Sequence, residues 1–110
     1  MATEPPHTLP HQNPSWAACV EMYYSPFCGY CQRAIRLFER HGVAYEGYNV
    51  LTTASMRDDM AQRAHGRRTV PQIFINGHHI GGSDELHQLE QNGQLQALLR
   101  KAPHHGEGEG

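Results

Sequence analysis

Two cysteines of this chain, Cys28 and Cys31, are separated by only two residues. In an α-helix this spacing is about one turn, so the two sulfurs lie within reach of each other. The pair follows a short run of strand formers that Ser25 and Pro26 end, and it opens an amphipathic stretch. Amides at a helix N-terminus stabilise negative charge, so Cys28 is expected to be a thiolate nucleophile. Cys31 can then attack a mixed disulfide at Cys28, and the predicted chemistry is thiol–disulfide exchange.

The same spacing is also that of half a zinc site. A structural zinc site needs four ligands, and the chain contains no second pair of cysteines with this spacing. The adjacent histidines of His78–His79 and of His104–His105 would point in different directions. Accidental spacing is the other alternative. The redox interpretation is favoured because the pair stands in a predicted β-α-β segment. The third cysteine, Cys19, is predicted to be a buried thiol on an apolar strand.

The length and composition limit the class of protein. The chain of 110 residues fits one domain and contains no apolar stretch near the roughly 20 residues of a membrane span. Nine basic and eleven acidic residues give a formal net charge of −2, which argues against nucleic-acid binding. Three cysteines do not suit a secreted disulfide scaffold, and no secretory signal is recognised, so a cytoplasmic location is expected.

Composition divides the chain into three parts. Residues 1–16 are rich in proline and poor in apolar residues, and they are predicted to form a disordered arm. Residues 17–102 are predicted to be the folded domain, and 103–110 a polar, glycine-rich disordered tail.

Strand and helix patterns alternate along the predicted domain in the order β-α-β-α-β-β-α. The first helix is expected to end at Gly42, and Asn76-Gly77 predicts a tight hairpin. A helix links the first two strands, so these are expected to be parallel. The prediction is an α/β fold with a mixed sheet. The predicted strands are 19–24, 43–50, 72–75 and 78–80. The predicted helices start near Cys28, near Ser55 and after Gly82. The last of them is predicted to be one broken helix or two short ones.

Four short motifs occur in this background: Cys28-Gly29-Tyr30-Cys31, Thr69-Val70-Pro71, Gly81-Gly82 and Ser83-Asp84. Together they resemble the glutaredoxin family, and in particular its small dithiol bacterial type, over about residues 18–100. The resemblance implies a thioredoxin fold with a four-stranded mixed sheet flanked by helices. It also implies glutathione as cofactor and glutathione-dependent reduction of glutathionylated or disulfide-bearing proteins by a monomer.

The resemblance further implies how glutathione is bound. Pro71 would follow a cis peptide bond and place the backbone of Val70 beside the nucleophile, where it pairs with the cysteine of glutathione like a strand. Gly82 would allow close backbone approach. The amides of Ser83 and Asp84 would bind the γ-glutamyl carboxylate, and the Asp84 carboxylate would pair with the ammonium group. The candidate glutathione-binding residues are Tyr30, Thr69, Val70, Pro71, Gly82, Ser83, Asp84 and Arg57.

Each of these positions also has an ordinary structural interpretation. Pro71 could be a trans proline at the start of a strand, and the paired glycines could form only a turn. Ser83 and Asp84 are good helix N-caps without any ligand. Tyr30 could be an exposed aromatic residue beside the site.

One departure from the family pattern concerns the glycine carboxylate of glutathione. Ser25 stands where the family usually has a lysine that contacts this carboxylate, and the only lysine, Lys101, is remote in the sequence. Arg57, Arg67 or Arg68 could supply the charge, and Arg57 is one position from the family's second contact.

The second departure is Gly29, where dithiol members most often have proline. Members with a small residue there sometimes bind a [2Fe-2S] cluster. Two chains would each contribute Cys28 as a metal ligand, and two glutathiones would complete the four thiolates. The alternative hypothesis is therefore a glutathione-bridged dimer that carries or senses a cluster. A thioredoxin-like reductant served by a flavoprotein reductase is a third hypothesis, and Phe27 disfavours it because thioredoxins have tryptophan there.

Overall fold

The structure is a computed structural model, and it describes residues 16–103. The predicted disordered arm and tail therefore lie, apart from Trp16 and Pro103, outside the described residues. Trp16 packs against the core, and its indole N–H donates to the carbonyl of His41. The folded unit thus includes the last residue of the predicted arm.

The described chain contains four strands and four helices in the predicted order, with two short helices at the end. No helix in this part of the chain is long and apolar enough to cross a membrane. The strands are β1 (Val20–Tyr24), β2 (Glu46–Asn49), β3 (Gln72–Ile75) and β4 (His78–Gly81), and the helices are α1 (Gly29–His41), α2 (Ala54–Arg63), α3 (Ser83–Gln91) and α4 (Leu95–Arg100).

The strands form one mixed sheet in the order β2-β1-β3-β4. β1 pairs parallel to β2, and β3 pairs antiparallel to β4, as predicted. β1 also pairs antiparallel to β3, which joins the two predicted pairs into one sheet. The central strands are buried on both faces. Met22 and Ile73 join a cluster with residues of α1, α3 and α4, whereas Tyr23 and Phe74 join a second cluster with Met60 of α2. Helices therefore cover both faces of the sheet.

Local signals end the elements where the sequence predicted. Gly42 follows α1 in the left-handed conformation with φ of 68°, a position that favours glycine. Asn76 and Gly77 have φ of 54° and 81°, as a type I′ hairpin turn requires. The predicted strand 43–50 is shorter in the structure. The Val43 amide donates to the carbonyl of Phe38 at 2.9 Å, so Val43 closes the turn that caps α1 and does not begin β2.

The prediction that Cys19 is buried was wrong, because its side chain is exposed. Cys19 precedes β1, and alternation along the strand turns it from the face of buried Val20 to that of Glu21, which is itself only half-buried. Its backbone is held by Asn76, whose side-chain oxygen accepts from the Cys19 amide at 2.8 Å. Partial desolvation and the carboxylate of Glu21 raise the pKa of this thiol, so Cys19 is a poor nucleophile despite its exposure.

Candidate active site

The turn from β1 to α1 places Cys28 at the N-cap of α1. Its backbone is extended, with φ of −115° and ψ of 116°, and its sulfur accepts a hydrogen bond from the Cys31 amide at 3.1 Å. This is the bond that a serine or aspartate N-cap makes to a first-turn amide. The bond fixes the sulfur at the start of the helix. The side chain is half-buried.

Cys31 lies one turn inside the helix and is completely buried. Burial and the hydrogen bond to the Cys28 sulfur raise the pKa of the Cys31 thiol to about 12. At neutral pH it is therefore a thiol that can support a thiolate at Cys28 and cannot itself start the exchange. The sequence analysis predicted an outer nucleophile and an inner resolving cysteine, and the structure has Cys28 partly exposed and Cys31 buried.

The difference between the two thiols predicts an alkylation pattern. At pH 7, iodoacetamide is expected to modify Cys28 well before Cys31, because alkylation requires an exposed thiolate. Modification of Cys31 should stay slow as the pH is raised while the fold persists, because the thiol is buried and its pKa is about 12. Mass spectrometry of peptides after timed quenching measures both rates. Equal rates for Cys28 and Cys31 at pH 7 would contradict the assignment.

The segment Thr69–Pro71 passes directly over the nucleophile. The peptide bond between Val70 and Pro71 is cis, as the family resemblance implies. The thiol of Cys28 lies 3.6 Å from the carbonyl oxygen of Val70 and donates to it. The backbone of Val70 is thus next to the position where a mixed disulfide at Cys28 would form.

A cleft of about 380 Å³ extends from this segment to the start of α3. Its volume is within the usual range for small-molecule sites. Most of the predicted glutathione-binding residues line it, and Arg67 and Glu85 line it as well. The lining residues are Tyr30, Arg67, Thr69, Val70, Pro71, Gly82, Ser83, Asp84 and Glu85.

Gly82 lets two segments of the cleft meet. A Cβ atom at this position would lie 3.3 Å from the carbonyl oxygen of Pro71 and 3.4 Å from a carboxylate oxygen of Glu85. The contact with the Pro71 carbonyl is tighter than ordinary van der Waals packing. The glycine therefore allows the start of α3 to approach the Thr69–Pro71 segment.

The first turn of α3 lines the cleft. Ser83 and Asp84 are its first two residues, and amides in a first helical turn have no acceptor within the helix. The Ser83 side chain is buried, and its hydroxyl lies 3.4 Å from Nδ1 of His87. Ser83 therefore offers its backbone to the cleft, whereas Asp84 is exposed and offers a carboxylate.

Glu85 is a cleft residue that the sequence analysis did not propose. Its carboxylate accepts from the Gly82 amide at 2.7 Å, and this hydrogen bond holds the pKa of Glu85 below its usual range. The sequence signal was an acid three residues after the residue that precedes the helix, which is the spacing of a capping box. Arg67 lies 3.8 Å from the same carboxylate, so a guanidinium is also present in the cleft.

Arg57, the arginine proposed from the sequence, does not line the cleft. Its guanidinium donates to the carbonyl of Arg68 at 2.6 Å, and Arg68 pairs with Asp58 at 2.6 Å. The guanidinium groups of Arg57 and Arg68 therefore already have partners outside the cleft. Of the arginines considered from the sequence, the structure brings only Arg67 to the cleft.

Within residues 16–103, no group of three or more histidine, cysteine or acidic side chains is arranged to hold a metal ion. Cys31 is buried, so one chain presents a single accessible thiol, Cys28, at this site. A [2Fe-2S] cluster needs four thiolates in most proteins. The residues present fit such a cluster only if another chain and external thiols supply the remaining ligands.

A β2-β1-β3-β4 sheet with a cysteine pair at the start of its first helix and a cis-proline segment opposite defines a thioredoxin-fold thiol–disulfide oxidoreductase. The glutaredoxin family model matches residues 20–80. Glutaredoxin 3 of Escherichia coli K12 is 43% identical over 83 residues, which are 76% of this chain and 99% of that protein. The chain belongs to the glutaredoxin family.

Solved structures of glutaredoxins have the same fold. The solution structure of glutaredoxin from Brucella melitensis has a TM-score of 0.69 and 40% identity, covering 80% of this chain and 95% of that one. The crystal structure of the buckwheat glutaredoxin–glutathione complex has a TM-score of 0.69 and 30% identity, covering 77% and 79%. The predicted thioredoxin fold is thus confirmed.

Proposed function

We propose that this glutaredoxin is a glutathione-dependent oxidoreductase that reduces protein disulfides and glutathione mixed disulfides as a monomer. The observation that carries the proposal is the cleft of about 380 Å³ that reaches from Val70, beside Cys28, to the amides of Ser83 and Asp84. The structural relative from buckwheat is a complex with glutathione, which supports the same ligand here. A reducing, glutathione-containing compartment such as the cytoplasm would supply that thiol.

In the proposed complex, each part of glutathione meets a different part of the cleft. The cysteine of glutathione pairs with the backbone of Val70, as an added strand would. The γ-glutamyl carboxylate binds the amides of Ser83 and Asp84, where the helix dipole favours an anion, and the ammonium pairs with the Asp84 carboxylate. Tyr30 flanks the tripeptide, and Thr69, Pro71 and Gly82 shape the backbone around it.

Arg67 is the proposed partner of a glutathione carboxylate. It lines the cleft, and its side chain is 42% exposed, so it can turn from Glu85 towards a ligand. Arg57 was the residue proposed from the sequence, and its hydrogen bond to Arg68 keeps it engaged elsewhere. Replacement of Arg67 is therefore expected to weaken glutathione binding more than replacement of Arg57.

The variant Arg67→Ala is expected to raise the KM for a glutathione mixed disulfide roughly fivefold, which corresponds to about 1 kcal/mol for an exposed charged contact. The expected change for Arg57→Ala is smaller, because its guanidinium bonds to the backbone of Arg68. Steady-state kinetics of both variants under identical conditions measure the difference. A larger effect of Arg57→Ala would transfer the carboxylate contact to that residue.

The proposed reaction begins when the Cys28 thiolate attacks the glutathione sulfur of a mixed disulfide. A Cys28–glutathione disulfide forms, and the protein thiolate leaves and takes up a proton. A second glutathione thiolate attacks that disulfide, releases oxidised glutathione and restores Cys28. With a protein disulfide, Cys28 binds one substrate sulfur and the other leaves as a thiolate. Cys31 then loses its proton to the departing sulfur and forms the Cys28–Cys31 disulfide, which two glutathiones reduce.

A coupled assay tests the glutathione dependence. Reduction of a glutathione mixed disulfide is followed through NADPH oxidation with glutathione and glutathione reductase. The proposal expects turnover that requires glutathione. Turnover with thioredoxin reductase alone, in the absence of glutathione, would overturn it and favour the thioredoxin-like hypothesis.

A second candidate function is the glutathione-bridged [2Fe-2S] dimer, in which Cys28 is the metal ligand of each chain. The observation in its favour is the open surface around this thiol. Phe27 and Tyr30 are 88% and 60% exposed, and no atom lies within 4 Å of a Cβ built on Gly29. Anaerobic reconstitution with iron, sulfide and glutathione should give a coloured dimer. The control variant Cys19→Ser keeps Cys28 and should also give a coloured dimer. A colourless monomer would overturn this candidate.

A further inference from the structure

Gln72 has an unusual environment for a polar side chain. It is the first residue of β3, it follows Pro71 directly, and it is completely buried. Its side-chain nitrogen donates to the carbonyl oxygen of Thr69 at 3.0 Å and lies 3.4 Å from the Thr69 hydroxyl. Buried polar groups are costly unless they are paired, and these bonds tie Gln72 to the Thr69–Pro71 segment.

The other end of the Gln72 amide faces His79 on β4. The distance from the Gln72 side-chain oxygen to Nε2 of His79 is 2.7 Å. Because the nitrogen of the amide donates to Thr69, the oxygen must be the group that faces His79, and an amide oxygen can only accept. His79 therefore carries its proton on Nε2 and donates it to Gln72.

His65 lies against the other nitrogen of the His79 ring. The two Nδ1 atoms are 3.0 Å apart, so one of them must donate and the other accept when both rings are neutral. Since Nε2 of neutral His79 is protonated, its Nδ1 is the acceptor, and His65 is the donor. Partial burial and the neighbouring His65 lower the pKa of His79, which favours the neutral ring.

We propose that His79 and Gln72 are positioning residues that hold the Thr69–Pro71 segment in the shape that presents Val70 to glutathione. This inference rests on the proposed function. Neither side chain lines the cleft. Their hydrogen bonds end at Thr69, and the next residue, Val70, has its carbonyl 3.6 Å from the nucleophilic sulfur. Loosening the segment would weaken binding of glutathione without changing any residue that contacts it.

The variant His79→Phe tests the proposal. Phenylalanine keeps a ring beside Phe74, which lies 5.1 Å from the imidazole, but it cannot donate to Gln72. The KM for a glutathione mixed disulfide is expected to rise about three- to tenfold, as for the loss of one hydrogen bond, while kcat stays within about twofold. His79→Gln should restore much of the affinity, since its amide again offers an N–H donor. The matched control is His78→Phe on the exposed neighbouring histidine, which should leave KM unchanged.

Two further measurements keep the outcomes distinct. Backbone amide resonances of Thr69 and Val70 are expected to shift in His79→Phe and to stay in place in His78→Phe. A lowered melting temperature with unchanged KM and unshifted amides would overturn the positioning role and leave His79 as a residue of stability only. Wild-type protein without glutathione-dependent turnover would overturn the proposed function instead, and the amide shifts would still report on the segment.

Discussion

Replacement of Cys28 by serine is expected to lower the rate of thiol–disulfide exchange by at least about a thousandfold while the fold is retained. A serine hydroxyl is not ionised at neutral pH, so the attacking thiolate is lost. Serine is also a preferred N-cap, so its oxygen can accept from the Cys31 amide as the sulfur does at 3.1 Å. The coupled glutathione reductase assay measures the rate, and thermal unfolding measures the stability.

The control for this variant is Cys19→Ser, which makes the same chemical change at the other thiol accessible in the described chain. Cys19 lies directly before β1, is bonded through its backbone to Asn76, and does not line the cleft. Its replacement should leave the rate unchanged. A Cys28→Ser protein that is folded and as active as the wild type would refute the assignment of the nucleophile.

Replacement of Cys31 by serine is expected to separate two activities. Reduction of a protein disulfide should fall by at least roughly a hundredfold, because the intramolecular attack by a neighbouring thiol is replaced by slower bimolecular attack. Reduction of a glutathione mixed disulfide needs only Cys28, so its rate should stay within about threefold of the wild-type rate. Burial of Cys31 supports this separation, since a thiol with a pKa of about 12 does not take part in the first attack.

Mass spectrometry adds a direct observation of the same step. The Cys31→Ser protein should accumulate a mixed disulfide between Cys28 and the protein substrate, which the wild type resolves through Cys31. Equal losses on both substrates, with the fold retained, would contradict a role limited to resolution. A Cys31→Ser protein that keeps its full activity on both substrates would show that Cys31 does not resolve the mixed disulfide.

Several features of the fold could be predicted because their signals are local. Gly42 ends α1 and Asn76-Gly77 makes the hairpin, since both places need a left-handed backbone that few other residues tolerate. The order of the elements follows from the apolar periodicity of each segment. The position of Cys28 at the start of a helix follows from the apolar pattern after it, and the structure has that cysteine at the N-cap.

The errors arose where the local pattern admits two outcomes. The apolar character around Cys19 predicted burial, but the direction of a strand residue depends on the register with which β1 pairs to β3. Val43 has the composition of a strand residue, yet its amide completes the end of α1. The first case depends on a strand distant in the chain, and the second on the carbonyl of Phe38, five residues before Val43.

The sequence by itself determined the chemistry of this protein. The two-residue spacing of Cys28 and Cys31 and their place at a helix start depend only on neighbouring residues, because one helical turn brings them together. Tertiary structure alone decided which arginine enters the cleft and which histidine supports it. Arg67 rather than Arg57 reaches the start of α3, and His79 meets Gln72, because the β3–β4 hairpin and the loop after α2 pack segments that are distant in the chain.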